Sequence, residues 1–397
     1  MEQSLLKCQQ ILKEVYEPLW NNRFSVEPTF LLQRIAQPKL TSNNITAGSP
    51  IGLSGGFGFG AEGTPTPIAG NLMYNNYKLT AKDMFVNICI SDKAITLGKQ
   101  PGAMGDIMAN EVEASYDTAK WNVGRSIFGD GTGKLTKVKS GSGNKLYVDS
   151  HRLLKEGLII DIYADDESIV SKENRIIDVS RAPEADGTYV VTLMTALASE
   201  ATTGFITVQK SYNRELTGLG AIFNPEIEEI YGVNRVNNKY MYPEIIDAAG
   251  DVSNKIFTKA LRQTKNYKNG DVDLIMCGED TYDSYTEYLM TNNIRIENSD
   301  KTMEGGFKAI EFMFGPKKVE IVCEQFIPSD EAWGVSTKEI EFKNTGWGFA
   351  QAQGSGIFKL LDDQSTYRAL LRCYGELICR NIGGFFKIKN CVNTSNI

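Results

Sequence analysis

The chain has 397 residues, 42% of them hydrophobic and 23% charged, ordinary values for a globular protein of two or three lobes. A formal net charge of −7 argues against a dedicated nucleic-acid binder but leaves room for weak DNA contact through a local basic patch. No stretch approaches the ~20 apolar residues of a membrane span, and Glu2, Lys7, Lys13, Glu14 and Glu17 interrupt the first twenty residues as no signal peptide would, so a cytosolic product is expected.

Residues 3–20 read as an amphipathic helix, with Leu5, Cys8, Leu12, Val15, Tyr16 and Leu19 on one face. Residues 21–50 lose that period and hold Pro28, Pro38 and Pro50, as an extended arm would. Residues 51–70 are rich in Gly and Pro. Glycine is costly to order and buries nothing, so this stretch is expected to become ordered only against a neighbour. A strand pair follows at Tyr77–Thr80 and Met84–Ser91.

The strongest single element is a helix over 101–128. Pro101 suits its first position and Gly129 stops it. Met104, Ile107, Met108, Val112, Tyr116, Ala119, Val123 and Ile127 follow helical spacing, with Asp106, Glu113, Asp117 and Lys120 on the other side. At 1.5 Å per residue such a helix is ~40 Å long, so something extended must be built along it. The next segment, Gly129 to Leu135, superficially suggests a phosphate loop. It fails because Phe128 stands where the first glycine should be and Leu135 where the hydroxyl should be, and because it follows a helix.

Between 137 and 212 short alternating runs appear at Leu158–Tyr163, Arg175–Val179, Thr188–Leu193 and Phe205–Gln209, separated by turn residues. This spacing predicts a small all-β barrel or sandwich inserted into a larger fold. Further on, Glu244–Gln263 and Asp280–Met290 read as helices, Asp273–Cys277 as a buried strand, and Lys308–Phe314 with Lys318–Cys323 as a hairpin turning at Gly315-Pro316. The closing part is strand-like at Glu339–Phe342, Gly356–Leu361, Tyr367–Ile378 and Phe385–Ile388, and the long run to Arg380 could hold a bend or bulge. The tail 390–397 reads as frayed.

No constellation of nucleophile, base and acid emerges. The single histidine, His151, sits in the polar stretch Asp149-Ser150-His151-Arg152 with no nucleophile motif beside it. The seven cysteines (Cys8, Cys89, Cys277, Cys323, Cys373, Cys379, Cys391) are odd in number and lack zinc-ligand spacing, so they read as free thiols in packed positions. Neither a metal nor a cofactor is expected.

In order, an arm, a Gly-rich loop, one long helix, a compact mixed part and closing strands resemble the major capsid proteins of tailed bacteriophages with the Hong Kong 97-type fold. The residues that carry the resemblance are Phe59-Gly60-Ala61-Glu62-Gly63 with Pro65 and Pro67, Ile90-Ser91-Asp92-Lys93, and Ile127-Phe128-Gly129-Asp130-Gly131 closing the helix. They look like the branch found in phages of Gram-positive bacteria, and the likeness covers nearly the whole chain except the insert.

The resemblance implies an α+β fold: a helix and arm at 1–50, an extended loop with a β-hairpin at 51–100, and a peripheral domain from 101–136 and 336–390 with the long helix as its spine. The inserted β domain at 137–212 would decorate the surface or stabilise contacts between capsomers, and 213–335 would form the axial domain. It also implies a subunit that assembles with itself as hexamers and pentamers into an icosahedral head, with a scaffolding protein in trans, a portal protein and packaged DNA held by weak non-specific contact. No membrane takes part. Only about 50 residues precede the Gly-rich loop, so a long cleavable N-terminal scaffold is not expected. Phe57, Phe59, Glu62, Pro65 and Pro67 are the expected intersubunit contacts, since two large rings there have nothing local to cover them. An acidic subunit suits a container that must not grip DNA as it fills. Some family members crosslink Lys to Asn; Lys78 and Lys82 lie in the region where such a lysine falls, but solvated lysines that blunt a sheet edge are the expected reading. The alternatives are an encapsulin-type shell, which shares this fold, and an intracellular enzyme.

Overall fold

The computed structural model describes residues 13–14, 17–24, 27–52, 55–63, 65–91, 103–197, 203–250, 252–292, 309–351, 357–360 and 365–391. They belong to two compact units, one drawn from 1–124 and 222–397 and the other from 125–221. Most of the helix expected over 3–20, Pro101 at the head of the long helix, and the last six residues of the tail lie outside the described residues.

In the first unit α1 (Glu17–Phe24) buries Trp20 and Phe24. Both rings meet Tyr116, with centroids 5.4 and 4.8 Å away. Next comes α2 (Phe30–Arg34), capped by Thr29, whose hydroxyl oxygen accepts the Leu32 N–H at 3.2 Å.

Three strands follow: β1 (Asn44–Ile51), β2 (Met73–Thr80) and β3 (Lys82–Ser91). The last two do not pair with one another as expected. Only Ala81 separates them, too little chain for a hairpin turn. Instead β2 pairs antiparallel with β1 from Asn44↔Thr80 to Ile51↔Met73, placing the Gly-rich segment at the tip of that hairpin. The long helix α3 (Ala103–Phe128) has the period expected of it: Val112, Tyr116, Ala119, Val123 and Ile127 are buried, while Glu113 and Asp117 are exposed.

The second unit is a closed barrel. Its strands are β4 (Lys134–Ser142), β5 (Lys145–Val148), β6 (Ile159–Ala164), β7 (Ile169–Val179), β8 (Tyr189–Leu193) and β9 (Gly204–Val208), in the order β4-β5-β8-β7-β6-β9, with β9 returning to β4. Closure leaves no free edge. Alternation points Leu146, Val148, Ile160, Ile162, Val191 and Ile206 into a fully buried core. The segment 129–135 that superficially suggests a phosphate loop is a helix-to-strand turn. Asp130 Oδ1 accepts both the Thr132 N–H (2.9 Å) and hydroxyl (2.6 Å).

The chain continues through α4 (Leu219–Phe223) and a two-strand ribbon, β10 (Glu229–Ile230) and β11 (Val233–Asn234). Glu244–Gln263, expected as one helix, is split into β12 (Glu244–Asp247) and α5 (Asn254–Lys268). Residues 244–247 pair in parallel with a late strand, and Ala249 and Gly250, both with positive φ (48° and 82°), turn the chain before Ser253 starts the helix. After β13 (Leu274–Cys277) and α6 (Glu279–Thr291) come β14 (Ile310–Phe314), β15 (Lys317–Cys323), β16 (Ala332–Val335), β17 (Ile340–Asn344), β18 (Gly348–Phe349), β19 (Lys359–Leu360), β20 (Thr366–Cys379) and β21 (Phe386–Lys389).

Two further sheets complete the first unit. One is mixed, in the order β12-β21-β16-β13-β15-β14; Phe257, Ala260 and Leu261 of α5 and Tyr285 and Leu289 of α6 share its core with Ile275, Ile321 and Phe386. The other is built on β20, one continuous strand of 14 residues, which takes β17, β18 and β19 along one edge and β3 along the other. The closing strand β21 therefore does not join the β20 sheet with the rest of 336–390. Its buried Phe386 and Ile388 face the mixed sheet's core, where β12 and β16 flank it.

Candidate assembly surface

The β1–β2 hairpin is fixed at its stem. Tyr77 is fully buried, with its ring 5.3 Å from that of Tyr231. The hydroxyls of Tyr77 (3.3 Å) and Ser49 both donate to the Arg380 carbonyl. Tyr231 donates to the Leu377 carbonyl at 3.1 Å, and its own carbonyl accepts the Lys78 N–H at 2.9 Å. Ile45, Ala47 and Leu79 add apolar cover. Such buried, paired polar groups hold a register against slippage.

Beyond Asn75 the protection ends. Phe57, Phe59 and Ile68 are 83%, 96% and 90% exposed, and Glu62, Pro65 and Pro67 are exposed beside them. The five residues expected as contacts therefore lie together on one uncovered loop, and Ile68 belongs with them. Phe57 and Phe59 touch only edge to face, 5.2 Å between centroids. The loop's two limbs run close together: a Cβ on Gly56 would come within 2.7 Å of the Gly70 nitrogen, so that crossing requires glycine.

A second uncovered surface escapes sequence reasoning. Across β20, Arg368 stands opposite Lys359 on one side and Cys89 on the other, and Arg372 opposite Gly348 and Phe85. Opposed residues share a face. Its members Phe85, Lys359, Arg368 and Arg372 are exposed, while the opposite face, with Ala369, Leu371 and Cys373, is buried. Among the described residues none of these three cations is in an ion pair.

The groups that could serve chemistry are placed elsewhere. His151 is half-buried against the Tyr189 ring, 4.2 Å between centroids. Burial pushes the thiols of Cys379 and Cys391 up to about 12 and those of Cys323 and Cys373 to about 11, away from the thiolate form a nucleophile needs. Among the described residues no three His, Cys, Asp or Glu side chains are placed to hold a metal ion, and no helix is long and apolar enough to cross a membrane.

No family model and no curated protein matches the chain. Solved structures do. The cyanophage A-1(L) capsid asymmetric unit is similar at 10% identity and a TM-score of 0.52, over 91% of this chain and 93% of that one. The holo-SrpI encapsulin complex of Synechococcus elongatus PCC 7942 (7% identity, TM-score 0.48, 94% and 90% covered) and the capsid of a native GTA particle (7%, 0.46, 90% and 89%) are similar more loosely. The first likeness shows a shared fold: the α+β, Hong Kong 97-type capsid architecture that the order of segments implies.

Proposed function

We propose that this chain is the major capsid protein of a tailed bacteriophage, a shell-building subunit and not an enzyme, which assembles with itself as hexamers and pentamers into an icosahedral head around double-stranded DNA. The carrying observation is the contrast within one hairpin. Its stem is held by buried hydrogen bonds, while its tip presents two phenylalanines that the described residues leave uncovered. An apolar tip on a rigid stem gains its burial from another copy, which then offsets the entropy of ordering the glycines. Contacts of one surface with a different surface of the next copy close under rotational symmetry into rings. The capsid fold supports this reading.

In the same proposal the uncovered cations Lys359, Arg368 and Arg372 are where packaged DNA is touched, weakly and without sequence preference, since three cations release few counterions. A scaffolding protein in trans and a portal protein are further partners that the family resemblance implies. The barrel at 134–208 would decorate the shell or brace its capsomers.

Negative-stain microscopy of the expressed chain tests the proposal. Closed particles or five- and six-membered rings support it. Monodisperse 44.0 kDa monomers at all concentrations oppose it. Particles that enclose a protein cargo and exclude DNA would move the chain to the encapsulin class.

A further inference from the structure

Two helices of the first unit carry opposite and unmixed charge. Helix α5 holds Lys255, Lys259, Arg262, Lys265 and Lys268 and no carboxylate, in a chain whose net charge is −7. Helix α6 holds Glu279, Asp280, Asp283 and Glu287 and no cation. Each helix buries one side, Phe257, Ala260 and Leu261 in α5 and Thr281, Tyr285 and Leu289 in α6. On the other side Lys255, Lys259 and Arg262 follow helical spacing, as do Glu279, Asp283 and Glu287, and all six are exposed.

Among the described residues neither stripe is neutralised, because none of the six side chains is in an ion pair. The carboxylate that follows α5 in the chain, Asp271, has its own partner in Lys317 at 2.5 Å. Like charges three and four residues apart repel, and Lys255 stands in the first turn of its helix, against the dipole. The fold carries this repulsion unless an outside surface of opposite sign relieves it.

Placement and length select the partner. Helix α5 packs against β12 and β21 at one edge of the mixed sheet, and α6 against β15 toward the other. At 1.5 Å per residue the basic stripe runs about 10 Å and the acidic stripe about 12 Å. DNA would attract the first and repel the second. A second copy of this chain answers both, since each stripe finds on it a surface of matching length and opposite sign.

We propose that the basic stripe of α5 docks on the acidic stripe of α6 in a second copy of this chain. The inference rests on the reading that copies assemble with one another, and it adds which surfaces meet. The contact joins two different surfaces, so each added copy leaves one stripe of either sign free, and repetition about a rotation axis closes a ring. Complementary charge then sets the register and direction of the contact more than its strength.

The test reverses one stripe at a time in the full chain, as K255E/K259E/R262E and E279K/D283K/E287K, and follows ring formation by mass photometry and sedimentation at low salt. All six substitutions are at exposed side chains, so the melting temperatures should stay close to wild type. Each variant alone should associate at least about tenfold more weakly than wild type. The first is acidic on both surfaces and the second basic on both, so in an equimolar mixture they should alternate. Alternation closes only rings of even number: six-membered rings should return and five-membered rings should not. A variant that forms rings alone as readily as wild type, a mixture that does not recover, or a mixture that also yields five-membered rings would overturn the contact. So would loss of duplex-DNA binding in K255E/K259E/R262E with ring formation intact, which would give α5 to DNA. A wild-type chain that forms neither rings nor particles overturns the shell reading along with this contact, whereas unaffected variants overturn the contact alone.

Discussion

The rings of Phe57 and Phe59 meet edge to face, 5.2 Å between centroids, and otherwise stand almost wholly in solvent. Replacing both with Ser should leave the melting temperature of the free subunit within about two degrees, because exposed sites change stability little. Particle yield should collapse, since every copy loses an interface anchor. Thermal melts paired with sedimentation profiles check both halves. A large drop in the monomer's melting temperature would place these rings in the subunit's own core.

Glu324 gives the first unit an inverted pH response. Burial pushes its carboxyl up to about 7, although the backbone N–H groups of Phe326, Phe30 and Gln325 pull the other way. The folded value lies above the unfolded one of ~4.5, so the native state holds the extra proton between the two. The stabilising contribution is present below pH ~4.5 and is lost as pH rises through about 7, by at most about 3 kcal/mol. Glu324→Gln keeps an acceptor without the charge. Its denaturation midpoint should vary less between pH 5 and 7.5 and exceed wild type at the upper end. Identical pH slopes for the two proteins would remove the assignment.

The long helix α3 should tolerate change on one side only. Val112→Asp or Val123→Asp puts an unpaired charge into buried positions, at several kcal/mol, roughly, and should abolish soluble subunit. Lys120 is half-exposed and pairs with Glu27 at 3.2 Å, so Lys120→Ala should cost less than about 1 kcal/mol. Soluble yield and melts of the three variants decide it; equal tolerance at all three contradicts the one-sided packing.

In the second unit, Arg125 and Glu215 form a two-pronged pair at 2.8 and 2.5 Å, nearly closed off from water. Glu215→Ala would remove the carboxylate from a buried guanidinium and should cost about 3–5 kcal/mol. The double change Arg125→Met with Glu215→Leu should recover most of that loss. Calorimetric melts would show it, and a single variant as stable as wild type would mean the pair carries little.

What was legible in the sequence is what repeats locally. Val112, Tyr116, Ala119 and Val123 announce α3 because helical period needs only near neighbours. Phe57 and Phe59 stood out because glycines and prolines around them can cover nothing. Distant pairing was not legible. The segment Asn44–Ile51 holds Gly48 and Pro50 and reads as an arm until β2 pairs with it. The partner of β3 is β20, far downstream, and no local pattern names that register. For the same reason Phe85, Arg368, Arg372 and Lys359 become one face only through β20, and β21 could not be assigned to the mixed sheet before β12 was known as a strand.

The most direct test of the assembly account is a cryo-EM map of particles formed by the expressed chain, read at residues 55–70. The account predicts a closed icosahedral shell in which the loop of each subunit lies on another copy and the rings of Phe57 and Phe59 are buried there. A closed shell in which both rings still face solvent, or a chain that yields no particles under any assembly condition, would contradict it.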